Sequence, residues 1–112
     1  MDKQISNIYR VANRCGFEVK HREDNEKVVF AFKSKEIELN CFFEVVVQKA
    51  YNSKIFAANV AHEVFLIAED FDPHTETRKY LDKIGGSLQQ YTEIYSQMAA
   101  LAWQIRKFWL SL

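Results

Sequence analysis

Residues 53–71 read SKIFAANVAHEVFLIAEDF, and whether they form a strand or a helix decides the fold. A strand of that length would far exceed the usual span of about 5–6 residues. As a helix, Ala57, Val60, Ala61, Val64, Ile67, Ala68 and Phe71 fall on one stripe. Asn59, His62, Glu63, Glu69 and Asp70 then lie opposite, and Asn52 or Ser53 supplies the N-cap. The spacing predicts a helix.

Upstream, Ile5, Ile8, Tyr9, Ala12 and Cys15 recur at helical spacing over residues 3–15, and Gly16 stands where a left-handed C-cap belongs. The period then becomes two. Phe17 and Val19 alternate with Glu18 and Lys20 on a first strand, and Glu23-Asp24-Asn25-Glu26 makes a turn. Val28, Phe30 and Phe32 continue the inward set on a second strand, followed by a turn at Lys33-Ser34-Lys35-Glu36. Ile37, Leu39, Cys41, Phe43, Val45 and Val47 form the inward row of a third. The pattern is that of an antiparallel meander with one apolar face. Val29, Ala31, Phe42 and Val46 fall on its other face, which implies partial cover there as well.

Downstream, Asp72-Pro73 sets an N-cap before a proline at the first helical position. A short helix follows to about Ile84, with Tyr80, Leu81 and Ile84 as its apolar side. Gly85-Gly86 ends it, and Ser87 caps a last helix that runs to the C-terminus. The predicted order is α-β-β-β-α-α-α: an α+β chain forming one domain over residues 1–112. An N-terminal helix precedes a three-stranded meander and three helices.

Over residues 88–112, Tyr91, Ile94, Met98, Leu101, Ile105, Phe108 and Leu112 step by three and four. A second row runs through Tyr95, Ala102 and Trp109, and Ala99, Ala100 and Trp103 lie further around the cylinder. Only Glu93, Arg106 and Lys107 are charged. A helix of this length spans about 37 Å, against about 25 Å for the strands. It therefore outruns the sheet. Large exposed apolar patches are rare on monomers, so Tyr95, Met98, Ala99, Leu101, Trp103, Phe108 and Trp109 are the expected interface residues of a homodimer or protein complex.

Hydrophobic residues make up 48% of the 112, and 14% are aromatic, which excludes global disorder. Fifteen basic side chains balance fifteen acidic ones, so the electrostatic grip on phosphate backbones that a basic excess provides is missing. The polar start Met1-Asp2-Lys3-Gln4 does not read as a signal peptide, and no uncharged apolar run is long enough to span a membrane. Cys15 and Cys41 are two isolated cysteines, expected as buried thiols of a cytoplasmic protein.

Catalytic and metal patterns fail at their decisive positions. His62-Glu63 opens HExxH, but Leu66 stands where the second histidine must be. Asp70, Asp72, His74 and Glu76 alternate as oxygen and nitrogen donors. A calcium loop starting at Asp70 would need glycine at Thr75 and glutamate at Leu81. Capping by Asp72 and dipole compensation by Glu76 account for these residues. His62, Glu63, Asp70, Asp72, His74 and Glu76 are thus weak candidates for a polar site, and no metal or other cofactor is expected.

The α-β-β-β-α order of the first 71 residues resembles the double-stranded RNA-binding domain, which holds phosphates with lysines at the start of its second helix. Here that start offers Lys49 and Lys54, separated by Ala50, Tyr51, Asn52 and Ser53. A short sheet, a helix ending in Phe71-Asp72-Pro73-His74 and a long last helix also resemble small bacterial proteins found with mobile elements. That resemblance implies a bacterial setting and no mechanism. The function expected is non-catalytic self-association or protein interaction. A nucleic-acid-binding module is the alternative, and an enzyme comes third.

Overall fold

Helix α1 (Asp2–Arg14) stops where Gly16 turns left-handed at φ 83°. A side chain at Gly16 would be strained by that backbone, and its Cβ would lie 2.8 Å from both Gln97 Nε2 and Glu36 Oε1. The chain thereby turns directly into β1 (Phe17–Glu23), which runs antiparallel to β2 (Lys27–Ser34). β2 pairs in turn with β3 (Phe43–Gln48), giving the sheet order β1-β2-β3. This computed structural model describes residues 2–37, 43–50, 52–71 and 87–110, except the side chains of Leu88 and of residues 108–110.

Register follows from the alternating pattern. Val19 pairs with Phe32 and Phe32 with Phe43, while Phe30 pairs with Val45 and Val28 with Val47. All of these face the helices and are buried. The opposite face carries Glu18, Lys20, Arg22, Glu44 and Gln48 into solvent. Of the apolar residues expected there, Val29 is buried, Ala31 is half-buried and Val46 is exposed. Ile37 sits in a bend after β2 and does not extend β3. The Ser34 hydroxyl accepts the Glu36 and Ile37 amides at 3.3 and 3.2 Å, which commits those amides to a turn. Leu39, Cys41 and Phe42 lie outside the described residues.

Helix α2 (Ser53–Glu69) begins as read, with the Asn52 side chain accepting from the Lys54 and Ile55 amides. Phe56, Ala57, Val60, Ala61, Val64 and Ala68 are its buried side. Helix α3 (Leu88–Leu110) opens with a reciprocal cap: Ser87 Oγ accepts from the Gln90 amide while Gln90 Oε1 accepts from the Ser87 amide. Two helices therefore follow the sheet among the described residues, and the short helix expected near residues 73–84 lies outside them.

Rings tie the layers together. Phe30 meets Phe56 of α2 at 6.2 Å, and Phe43, Phe71 and Tyr91 form a chain with centroids 4.9 and 5.3 Å apart. Because Phe71 lies just past the end of α2 and Tyr91 in the first turn of α3, while Ala61 and Ala102 line one groove further along, the two helices run antiparallel. Among the described residues no helix is long and apolar enough to cross a membrane.

Candidate functional site

The α2–α3 hairpin has an inner and an outer side. Inward, Tyr91, Ile94, Met98, Leu101, Ala102 and Ile105 are buried in the same core as Val60 and Val64. Met98 and Leu101 are fully buried within their own chain, so these two expected interface residues belong to the core. They lie on the helix face turned toward α2 and the sheet, where periodicity alone does not separate core from interface. Tyr95 and Ala99 are half-buried at the margin, and the side chains of Phe108 and Trp109 lie outside the description.

Outward, the hairpin leaves large apolar side chains in solvent. Trp103 is 62% exposed, and Phe65 and Leu66 of α2 are about 40% exposed. Between the helices runs a groove of about 460 Å³. Ala58, Ala61, His62 and Phe65 line it from α2; Ala102, Trp103 and Arg106 line it from α3. The alanines create the groove by leaving the helices bare between the two aromatic walls. Arg106 and Lys107, near the end of α3, have no ion-pair partner among the described residues.

His62 thus belongs to the rim of this groove, with half-buried Glu63 beside it on α2. Asp70 is exposed just past the end of α2, and Asp72, His74 and Glu76 lie outside the described residues. Among those described, no three histidine, cysteine or acidic side chains converge as metal ligands would. Cys15 is half-buried, and burial pushes its thiol pKa above the ordinary value, which disfavours the nucleophilic thiolate. His21 Nδ1 lies 2.6 Å from the Tyr9 hydroxyl, an exposed bond that ties α1 to β1. Lys49 forms an ion pair with Glu23 at 3.0 Å, leaving Lys54 as the only basic residue in the first turn of α2.

One polar residue that periodicity does not reveal proves central. Gln97 Nε2 donates to the Cys15 and Gly16 carbonyls at 3.1 and 3.4 Å, and its Oε1 accepts from Ser34 Oγ at 2.7 Å. A single α3 side chain thereby holds the α1–β1 turn and the end of β2. The groove itself also escapes sequence reading, because it exists only once α2 and α3 pair. No protein-family model, curated protein or solved structure matches the chain.

Proposed function

We propose that this protein acts by self-association, with the outer side of the α2–α3 hairpin as the contact surface. The observation carrying this reading is Trp103, a large apolar side chain 62% exposed beside a groove walled by Phe65. An exposed tryptophan flanked by further apolar surface is the usual composition of an interface centre. The patch and the groove lie on one face, so a second copy brings both to the first, as a two-fold interface requires. Zero formal net charge removes the long-range repulsion that keeps copies of a highly charged domain apart.

Light scattering at tens of micromolar should give twice the monomer mass. Trp103→Glu should move it to the monomer value with an unchanged circular dichroism spectrum, because the side chain it replaces contributes little to the core. A monomeric wild type at that concentration would refute the proposal.

A further inference from the structure

The order of side chains along the exposed side of α3 specifies how two copies would meet. Ser96, Ala99, Ala100 and Trp103 lie within about 50° of one line down the helix, at 100° per residue. Ser96, Ala100 and Trp103 are exposed and Ala99 is half-buried. Glu93 is exposed beyond one end of this line, about 70° to one side of it, and Lys107 is exposed beyond the other end on that same side, about 20 Å away on the rise of a helix; Arg106 falls to the opposite side, at the groove. The acid is N-terminal, the bases are C-terminal, and small side chains occupy the middle.

We propose that two copies pair their α3 helices antiparallel, about a two-fold axis at Ala99–Ala100. This rests on the self-association reading and adds its geometry. About that axis Trp103 lies over Ser96 of the second copy, a small residue that leaves room for the indole. Lys107 of each copy comes beside Glu93 of the other, once at each end of the contact. Parallel pairing would instead set Glu93 against Glu93 and the bases against each other, which is repulsive at both ends. The small central residues let the backbones approach, and the charges choose the direction.

Sedimentation equilibrium on charge-reversed variants tests the pairing. Glu93→Lys should weaken the dimer roughly tenfold, since it turns two attractive ends into repulsive ones of modest individual worth. Lys107→Glu should act in the same direction, and the double variant Glu93→Lys/Lys107→Glu should recover most of the loss. That rescue would not follow from damage to the fold. Ala100→Cys should also give a disulfide-linked dimer under mild oxidation, while wild type treated alongside, with Cys15 and Cys41 in place, should not. A wild-type dimer indifferent to Glu93→Lys, or a double variant no better than the singles, would overturn the antiparallel pairing and leave self-association standing. A monomeric wild type would overturn both.

Discussion

Asp24 organises the turn between β1 and β2. Tight two-residue hairpins generally use positive φ angles, yet Gly16 alone has one among the described residues. The Asp24 carboxylate supplies the turn instead, accepting the Glu26 and Lys27 amides at 2.8 and 2.9 Å. Those two bonds favour the charged form and lower the Asp24 pKa below the ordinary carboxylate value, with nearby Lys27 and Lys49 adding smaller pulls in the same direction. Since the folded pKa lies below the unfolded one, its stabilising contribution is present above the unfolded value and is lost as pH falls through the folded one. A carbon-detected NMR titration should place the Asp24 midpoint below the ordinary aspartate value. Asp24→Asn should remove this part of the acid sensitivity. A midpoint at the ordinary aspartate value would refute the assignment.

At the scale of the elements, Phe43 joins the sheet to the end of the helical hairpin where α2 finishes and α3 begins. It is 4% exposed on β3, packs edge-on against Phe71 at 4.9 Å, and through Phe71 reaches Tyr91. Phe43→Ala should cost about 3–5 kcal/mol in urea denaturation, the usual range for a buried phenylalanine. A loss below about 1 kcal/mol would place the ring outside the core. The strand phase behind this prediction was legible in the sequence, because a one-residue slip would have turned Phe30, Phe32 and Val45 into solvent together. Helix α2 was legible as a helix but less so in its facing. Ile55, Phe56, Phe65 and Leu66 surround the apolar stripe, so Phe56 (buried) and Phe65 (exposed) were not separable by spacing alone. For α3, Trp103 stood outside the main apolar rows and is indeed exposed, whereas Met98 and Leu101 satisfied the core pattern and are core. Gln97 was illegible for a different reason. A glutamine between apolar helix positions reads as solvated until the distant Gly16 and Ser34 are brought beside it.

For the molecule as a whole, charge placement decides between a protein partner and a nucleic acid. The first 71 residues keep the α-β-β-β-α order that resembles the double-stranded RNA-binding domain, so topology alone leaves both open. Such domains depend on cations free to replace the counterions of the phosphate backbone. Here fifteen basic side chains are matched by fifteen acidic ones, and the lysine best placed at the approach to α2, Lys49, is held by Glu23 at 3.0 Å. On the open face of the sheet Arg22 is paired with Glu44 at 3.2 Å, and Glu18 further offsets Lys20 and Lys33. Arg106 and Lys107 are unpaired among the described residues, but Arg106 lines the apolar groove together with Trp103, where a phosphate backbone would have to lie across exposed indole. Fluorescence anisotropy with duplex RNA and duplex DNA at moderate ionic strength should therefore show no micromolar binding. Micromolar binding that falls steeply with added salt would refute this, because only release of several counterions produces that slope. Lys49→Ala and Lys54→Ala would then separate a grip at the start of α2 from one at the end of α3, where Arg106→Ala and Lys107→Ala would be the sensitive pair.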